Sequence, residues 1–333
     1  MNSAVDDILI CSPNWLGDSI MCMPAIQVYK KRHPTCCIRL LVKPHLQTLW
    51  EMHSDIESVM LLGEGLRGIR GAVRSIENHE TRLAFIFPNS FRSAFVPFLA
   101  RIEERVGRPG HRPAKMLTRL IPPCSRESHQ ACEYLQIVGL NQDEVPLPEL
   151  DLGGNVGEDE ISVSKGENVV GIMPGAAYGP SKRWPADRFI AVGRCLTADH
   201  GCRALVFGNH SETQLCETVA AGIGRQAISM GGKTSLPGLA GLLHRCNLVI
   251  CNDSGGMHLA AAVRTPVVAV FGITDPTKTG PIGNHHRLVF RNDVSHSREL
   301  SRNSRKAMSV LNSIQDEEVS RAAVEILEGQ TGS

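Results

Sequence analysis

Short apolar runs recur along the chain, and the segments between them are long enough to form helices. In the amino-terminal half, the runs occupy residues 7–12, 37–43, 58–62, 83–88 and 104–107. A second series occupies residues 168–175, 203–209, 227–232, 247–253, 266–272 and 287–292. Strands that alternate with helices form βαβ units around a parallel sheet. The sequence therefore predicts an α/β protein with two Rossmann-like domains.

The two series are joined by residues 142–168, which are rich in Pro, Gly and acidic residues and have little hydrophobic periodicity. That composition is typical of a linker. Near the end of the chain, residues 313–329 predict a helix, with Ser313 three residues before Asp316 in a pattern that resembles a capping box. The apolar side chains on one face of this helix are those of Val319, Ala323 and Ile326. We expect that face to cover part of a domain.

The overall charge gives no reason to expect an acidic partner or nucleic acid, because the formal net charge is +1 over 333 residues. The amino terminus has no basic leader, and its apolar run at residues 8–11 is far shorter than the core of a signal peptide. No stretch approaches the roughly 18 apolar residues that span a bilayer. We expect a cytoplasmic protein, either free or peripheral on the inner face of the cytoplasmic membrane.

The cysteine pattern favours free thiols. The chain has 11 cysteines, an odd number, and no C-x-x-C or Cys/His quartet at zinc-ligand spacing. Cys36 and Cys37 are adjacent, which is a poor geometry for a disulfide. We expect a reducing compartment, with most thiols buried as small apolar side chains.

The first candidate for a functional side chain follows the first apolar run. Ligands of open parallel sheets bind beyond the carboxyl ends of the strands, where helix N-termini present unpaired N–H groups. There Gly17 permits a tight turn and Asp18 stands at the start of a helix. One interpretation is that Asp18 only caps the helix. The alternative is a carboxylate aimed into a cleft between the domains, which takes a proton from a hydroxyl nucleophile.

A segment of small residues with a lysine follows the first strand of the second series. Gly175, Ala176 and Ala177 would let backbone amides approach an anion. Ser181 and Lys182 come next, and the lysine would add a positive charge against a diphosphate. The segment is not a Walker motif, because G-x-x-x-x-G-K-[ST] is absent. An ordinary loop is the alternative interpretation.

The sequence CNDSGG joins a strong apolar run to a helical segment. Ser254, Gly255 and Gly256 would form the first helical turn, with N–H groups open to a phosphate because no side chain blocks them. Asp253 stands one step earlier, where its carboxylate would hold sugar hydroxyls. His258 lies on the same face as Ser254, one turn further on. A half-buried histidine with a backbone partner is the alternative for His258.

Taken together, these three segments predict a nucleotide diphosphate in the second half and an acceptor with a catalytic base in the first. Four motifs resemble, in the same order, those of glycosyltransferase family nine, the ADP-heptose:lipopolysaccharide heptosyltransferases: PNWLGDSIMCMPAI, PGAAYGPSKRWP, GGKTSLPGLAGLL and CNDSGGMHLAAAVRTPVVAVFG. Residues 87–112 and 128–135 are similar to the heptosyltransferase II branch of that family. The resemblance covers roughly residues 8–290.

The resemblance implies a GT-B fold, in which two Rossmann-like domains face each other across an interdomain cleft. It implies an acceptor-binding domain over residues 1–155, an ADP-sugar-binding domain over 156–312, and a terminal helix, 313–333, that packs back towards the N-terminal domain. It also implies inverting, metal-independent transfer of L-glycero-D-manno-heptose from ADP-heptose. The acceptor would be a heptose of the lipopolysaccharide inner core, of the heptosyl-Kdo-lipid A type, and no cofactor is needed besides the donor.

The resemblance also implies roles for individual residues. Asp18 matches the family's catalytic base, Lys182 its donor-phosphate lysine, and Glu212 is the candidate for the ribose. The loop that holds ADP-heptose is matched by Asp253, Ser254, Gly255 and His258. Positions near the nucleotide base or the phosphates are Thr234, Ser235, Ala177 and Tyr178, the last two standing where some relatives carry hydroxyl residues.

For the acceptor, Asn89 and Arg92 follow a strand of the first series and are the best polar candidates to bind the acceptor sugar. Residues 101–119 hold six Lys or Arg against two Glu. The basic side chains that would meet core phosphates or an anionic membrane are those of Arg105, Arg108, Arg112 and Lys115. A merely solvated face is the alternative.

Other functions fit the same architecture. One is a family-nine enzyme with a different acceptor, and another is a nucleotide-sugar epimerase, which needs no acceptor sugar. A third is a nucleotide-sugar binding protein without turnover, against which the Gly17-Asp18 pair argues.

Overall fold

The computed structural model describes residues 7–110, 114–125, 128–140, 144–153, 166–295 and 301–331. The chain forms two compact units, Met1–Asp151 and Leu152–Ser333. The predicted domain boundary at 155/156 lies outside the described residues.

The first unit is built on one parallel sheet. In chain order its elements are β1 (Asp7–Cys11), α1 (Leu16–Arg32), β2 (Cys37–Val42), α2 (Gln47–Glu51), β3 (Ser58–Leu61), α3 (Gly65–Glu77), β4 (Leu83–Ile86), α4 (Phe91–Leu99), β5 (Glu104–Gly107), β6 (Arg119–Leu120) and α5 (Gln130–Ile137). The six strands are ordered β3-β2-β1-β4-β5-β6. The sequence did not predict β6, because its two residues are exposed and form no apolar run.

The second unit is built on a second parallel sheet. Its elements are β7 (Val169–Met173), α6 (Ala186–Ala198), β8 (Arg203–Val206), α7 (Thr213–Ile223), β9 (Ala227–Ser229), α8 (Leu236–His244), β10 (Leu248–Asn252), α9 (Gly255–Ala262), β11 (Val267–Val270), α10 (Pro276–Thr279), β12 (Arg287–Val289), α11 (Arg305–Ser313) and α12 (Asp316–Thr331). The strands are ordered β12-β11-β10-β7-β8-β9. β7, β10 and β11 are buried along their whole length, as expected for strands covered on both faces.

Both sheets have the same topology. Numbered within its own unit, each sheet reads third, second, first, fourth, fifth and sixth strand, which is the Rossmann order. The predicted fold class, α/β with two Rossmann-like parallel sheets, is confirmed.

The terminal helix α12 covers the sheet of the second unit. Val319, Ala323 and Ile326 are buried in the core of that unit, as their shared face predicts. The helix packs mainly on α6 and on β10, β11 and β12. The indole Nε1 of Trp184 donates to the carbonyl oxygen of Ile314 at 3.1 Å, which holds the chain just before α12. Packing of this helix towards the N-terminal domain stays a prediction.

The predicted cap of this helix is wrong. Ser313 is the last residue of α11, and its hydroxyl donates to the carbonyl oxygen of Val310 at 2.7 Å. Instead, the Glu318 carboxylate accepts the N–H of Gln315 at 2.9 Å, directly before α12. The sequence pattern predicts that a helix starts at Ser313, whereas in the structure α11 ends at Ser313 and α12 begins at Asp316.

All 11 cysteines lie among the described residues, and each is a free thiol. Cys11, Cys22 and Cys251 are fully buried. Burial raises the pKa of Cys246 to about 12, so this thiol stays protonated at neutral pH. These thiols act as small apolar side chains, as predicted.

A buried histidine in the first unit makes folding sensitive to acid. Among the described residues, His53 has no partner for its Nε2, and burial lowers its pKa to about 4. The folded state keeps the imidazole neutral, whereas the unfolded chain binds a proton below about pH 6.5. Stability is therefore retained at neutral pH and is lost as the pH falls from 6.5 towards 4.

The free energy of unfolding of the wild type should be lower at pH 5 than at pH 7.5. In His53→Gln, we expect this decrease to be smaller by about 2 kcal/mol. Urea unfolding at the two pH values measures this difference. His200→Gln is the control, because His200 is exposed and its loss leaves the wild-type pH dependence. An unchanged pH dependence in His53→Gln would contradict the buried neutral imidazole.

Candidate functional site

The predicted functional side chains follow the central strands of the two sheets. In each sheet, the chain adds strands outward in one direction from one central strand and in the opposite direction from its neighbour. These two central strands are β1 and β4 in the first sheet and β7 and β10 in the second. Ligands bind beyond the carboxyl ends of two such strands. Asp18 follows β1, the pair Asn89 and Arg92 follows β4, Lys182 follows β7 and Asp253 follows β10.

Asp18 is the third residue of α1 and is half-buried. The helix begins after Trp15, so Asp18 is not its N-cap; its carboxylate lies in the first turn, where the dipole favours negative charge. Gln130 Nε2 donates to Asp18 Oδ1 at 2.7 Å and to the Tyr134 hydroxyl at 3.1 Å. The side chain is therefore oriented by α5, which the sequence reasoning did not predict.

Two neighbours of Asp18, Tyr134 and Cys22, have raised pKa values. Burial, and then the Asp18 charge, raises the pKa of Tyr134 well above its usual value. The phenol is thus a neutral donor or acceptor beside a carboxylate. Burial and the same charge raise the pKa of Cys22. Near Asp18, neither Tyr134 nor Cys22 therefore competes with the carboxylate as a base.

The acceptor candidates after β4 differ from each other. Asn89 is exposed. The Arg92 guanidinium donates to the carbonyl oxygens of Gly63 and, at 3.2 Å, of Gly65. These bonds fix the turn before α3, so Arg92 has a structural role. Its contact with an acceptor, and that of Asn89, stay predictions.

Two arginines in and directly after β5, Arg105 and Arg108, donate hydrogen bonds within the first unit. Arg108 is buried and donates to Gln136 Oε1 at 2.9 Å. Arg105 donates to the carbonyl oxygen of Met116 at 2.8 Å, and its guanidinium carbon lies 5.5 Å from the centre of the Phe98 ring. Arg108 is enclosed within the first unit by its bond to α5, so the expectation that it faces a membrane or core phosphates is wrong. Arg105 is half-buried, and its contact with a membrane or core phosphates stays a prediction. Lys115 is exposed, and Arg112 lies outside the described residues.

In the second unit, the structure brings Lys182 and Asp253 together. Lys182 Nζ lies 2.6 Å from Asp253 Oδ2, and the Thr274 hydroxyl donates to the same oxygen at 2.6 Å. The Asp253 side chain is 6% exposed and that of Lys182 is 21% exposed. The ammonium thus lies at the surface end of a pair whose carboxylate is buried. Thr274 was not predicted, because it lies beyond β11 and no spacing relates it to Asp253.

Asn252 joins the two loops that carry this pair. It is fully buried at the end of β10. Its Nδ2 donates to the carbonyl oxygens of Pro174 at 2.9 Å and Gly175 at 3.2 Å, and its Oδ1 accepts the N–H of Trp184 at 2.9 Å. The sequence places Asn252 in the apolar run 247–253 without indicating a role for its side chain. Its position as the last residue of a buried strand was the available signal.

The N-terminus of α9 follows directly after Asp253. Ser254 is the N-cap residue, and its side chain makes no capping hydrogen bond. A Cβ on Gly256 would lie 2.3 Å from Cε at the flexible end of Met173, so a larger residue there would displace this side chain. His258 is buried within α9. Binding of a phosphate at this helix start stays a prediction.

The loop from Ala177 to Lys182 is held by Arg302. Its guanidinium donates to the carbonyl oxygens of Tyr178 at 2.7 Å and Ala177 at 3.0 Å, and its own carbonyl oxygen accepts the N–H of Ser181 at 3.2 Å. Ser181 is buried, and its hydroxyl has no partner among the described residues. The sequence reasoning missed Arg302, which is more than a hundred residues from the loop.

A cleft of about 450 Å³ borders this loop, at the carboxyl ends of β7 and β8. It is lined by Ala177, Gly179, Pro180, Arg183, Asn209, Ser211, Arg302 and Asn303. Nearby, Glu212 is buried and accepts the N–H of Asn209 at 3.1 Å. A Cβ on Gly175 would lie 2.1 Å from Glu212 Oε1, so the small residue there accommodates Glu212.

The candidates for the nucleotide base begin α8. Ser235 is its N-cap, and the hydroxyl oxygen accepts the N–H of Gly238 at 3.1 Å. Thr234 precedes it and is half-buried. Ser235 therefore has a capping role, and contact of either residue with a nucleotide stays a prediction.

The part of the chain that the structure describes contains neither a metal-binding cluster nor a membrane-spanning helix. No group of three or more His, Cys, Asp or Glu side chains there is placed to hold a metal ion. No described helix is long and apolar enough to cross a membrane.

Comparisons with known proteins agree on one family. Residues 69–308 match the model described as glycosyltransferase family 9 (heptosyltransferase). Lipooligosaccharide heptosyltransferase 2 of Haemophilus influenzae is 29% identical over 307 residues, 85% of this chain and 88% of that protein. The solved structure of Escherichia coli ADP-heptose LPS heptosyltransferase II has a TM-score of 0.82 at 22% identity and covers 98% of this chain and 99% of its own. Escherichia coli heptosyltransferase WaaC, solved with ADP-2-deoxy-2-fluoro heptose, has a TM-score of 0.71 at 18% identity, with 97% and 99% covered.

Proposed function

Because the chain belongs to glycosyltransferase family 9, we propose that it transfers L-glycero-D-manno-heptose from ADP-heptose to a heptose of the lipopolysaccharide inner core. Similarity to proteins named heptosyltransferase 2 over 85% of the chain supports this substrate class. The observation that carries the proposal is the placement of Asp18 after β1 and of the Lys182–Asp253 pair after β7 and β10. These positions suit a base in one unit and a donor site in the other.

In the proposed reaction, the Asp18 carboxylate takes the proton from an acceptor heptose hydroxyl. The hydroxyl oxygen then attacks the anomeric carbon opposite to the departing ADP, which inverts its configuration. Gln130 holds Asp18 through the 2.7 Å hydrogen bond and so limits the carboxylate to one orientation. Its place in the first turn of α1 favours the ionised form that a base requires.

Negative charge builds on the diphosphate as the bond to the sugar breaks. Lys182 and the backbone N–H groups at the start of α9 supply positive charge in the second unit, where it stabilises the transition state more than the ground state. Asp253 keeps the ammonium in place, and Thr274 holds Asp253. Asn252 fixes the two loops that carry these groups.

Incubation of the protein with ADP-heptose, with and without a heptose-bearing Kdo-lipid A acceptor, tests the proposed function. We expect a heptosylated acceptor and stoichiometric ADP, with little ADP release in the absence of acceptor. NMR of the product determines the anomeric configuration. Isomerisation of ADP-heptose without acceptor would indicate an epimerase, and binding without turnover would indicate a binding protein; either result overturns the proposal.

We expect removal of divalent metal to leave the transfer rate unchanged. Lys182 and the α9 N-terminus carry the positive charge that a metal ion supplies to diphosphates in other enzymes. Initial rates are measured after dialysis against EDTA and again after addition of Mg²⁺ or Mn²⁺. A loss on chelation that either ion reverses would contradict the metal-independent mechanism.

A further inference from the structure

Helix α4 carries apolar side chains on two faces. One face, with Ala94, Val96 and Pro97, is buried in the first unit. On the other side, Phe91, Phe95, Phe98 and Leu99 follow the spacing i, i+4, i+7 and i+8 and so share one face, here called the α4 stripe. Phe91 and Phe95 stack with their ring centres 5.1 Å apart. Phe95 also packs against the core of the first unit, whereas Phe91, Phe98 and Leu99 are exposed.

Three of the four side chains of the α4 stripe are exposed, and the fourth, Phe95, is half-buried. Phe91, Phe98 and Leu99 are 38–47% exposed, and Leu66 at the start of α3 is 72% exposed. α3 packs on α4, and Arg92 ties their N-termini through the carbonyl oxygens of Gly63 and Gly65. Clusters of exposed apolar side chains on neighbouring helices mark interaction surfaces.

Beside the stripe, α3 presents a row of arginines. Arg67, Arg70 and Arg74 are exposed and lie on one helix face, at i, i+3 and i+7. Leu66 belongs to the same face, since Leu66, Arg70 and Arg74 are spaced by four residues. The only acidic residue of α3 is Glu77, at its end. These three side chains are called the α3 arginine row.

We propose that the α4 stripe and the α3 arginine row dock the first unit on an anionic lipid bilayer. Aromatic and leucine side chains insert at the membrane interface, while arginines attract the anionic headgroups, and the two signals together give reversible binding. The surface borders the start of α4, where Asn89 and Arg92 are the acceptor candidates. The proposal rests on the proposed function only in that a lipid-linked acceptor is presented at such a bilayer.

Cosedimentation of the full chain with vesicles of phosphatidylethanolamine and phosphatidylglycerol, without acceptor, tests the docking surface. We expect binding to anionic vesicles, weaker binding to pure phosphatidylcholine, and a decrease with NaCl. Arg67→Glu/Arg70→Glu/Arg74→Glu should lower the partition coefficient by at least about 100-fold. The matched control, Arg225→Glu/Arg305→Glu/Lys306→Glu, makes the same change in net charge at exposed residues of the second unit and should keep wild-type binding.

The apolar half of the surface is tested separately by Leu66→Ser/Phe98→Ser, which leaves all charges in place. We expect it to weaken vesicle binding while the thermal unfolding temperature reports that the unit is folded. If the control triple variant lost as much vesicle binding as the arginine-row variant, the effect would be one of net charge, and the proposal would be overturned. Absence of vesicle binding by the wild type would also overturn it. A dimer in solution that Leu66→Ser/Phe98→Ser dissociates would make this a face between two copies and also overturn it.

Transfer to a delipidated, water-soluble acceptor separates this proposal from the proposed function. The arginine-row variant should retain transfer to the soluble acceptor and lose it to an acceptor embedded in vesicles. Vesicle binding by a wild-type chain with no transfer to either acceptor would contradict the proposed function and leave the docking surface standing. Transfer without vesicle binding would contradict the docking surface alone.

Discussion

Replacing Asp18 by Asn is expected to abolish transfer while the affinity for ADP-heptose stays close to that of the wild type. General-base catalysis contributes about 10²- to 10⁴-fold, so kcat should fall by at least about 100-fold. Asn keeps the shape of the side chain, and its Oδ1 can still accept the hydrogen bond from Gln130. The loss therefore reports the missing carboxylate charge. Initial rates with the lipid acceptor and calorimetric titration with ADP-heptose measure the two quantities.

Gln130→Leu is the matched control for Asp18→Asn. It leaves the carboxylate in the first turn of α1 and removes the 2.7 Å hydrogen bond that orients it, together with the 3.1 Å bond from Gln130 to the Tyr134 hydroxyl. We expect a smaller fall in kcat, about tenfold, since misorientation of a reacting group costs less than its removal. A near wild-type rate for Asp18→Asn would contradict its role as base. Equal falls in kcat in the two variants would indicate that Asp18 acts only through its contact with α5 and not as a base.

The positions of the central strands could be predicted because parallel strands buried on both faces are continuous apolar runs. VVGIM in β7 and LVICN in β10 are of this kind, and both were placed within two residues. β6 could not be predicted, since two exposed residues add a strand by backbone pairing alone. The start of α12 was placed wrongly for a similar reason: Ser313 fits a capping pattern, but the tertiary position of α11 decides where the chain breaks.

The residues of the candidate site also differ in whether the local sequence could predict them. The positions of Asp18, Lys182 and Asp253 after β1, β7 and β10 could be predicted from the apolar runs that precede them, whereas their roles in binding and catalysis stay predictions. Gln130, Thr274 and Arg302 could not be predicted, because each acts through a contact between elements far apart in the chain. Spacing along one element carries no information on such pairs. For Arg108 the charge pattern was misleading, since its guanidinium is buried and donates to the side-chain amide of Gln136 in α5.

The second large effect is expected from Lys182→Met. The variant leaves the buried Asp253 carboxylate without its ion-pair partner, and breaking such a pair costs about 3 kcal/mol of stability. It also removes the charge that meets the leaving diphosphate, so we expect transfer to fall by at least about 100-fold. Urea unfolding and steady-state kinetics measure the two losses. Thr274→Val, which removes one 2.6 Å hydrogen bond to Asp253 and keeps the ion pair, should cost only about 1 kcal/mol.

The double variant Lys182→Met/Asp253→Asn distinguishes the two roles of the lysine. Without the carboxylate there is no unpaired buried charge, so the free energy of unfolding should recover most of what Lys182→Met loses. Transfer should not recover, because no positive side chain then faces the diphosphate. If stability and transfer returned together, the lysine would serve only to neutralise Asp253. In that case the backbone N–H groups at the start of α9 would be left as the main positive charge on the leaving group, and Ser254 and Gly255 would become the residues to vary next.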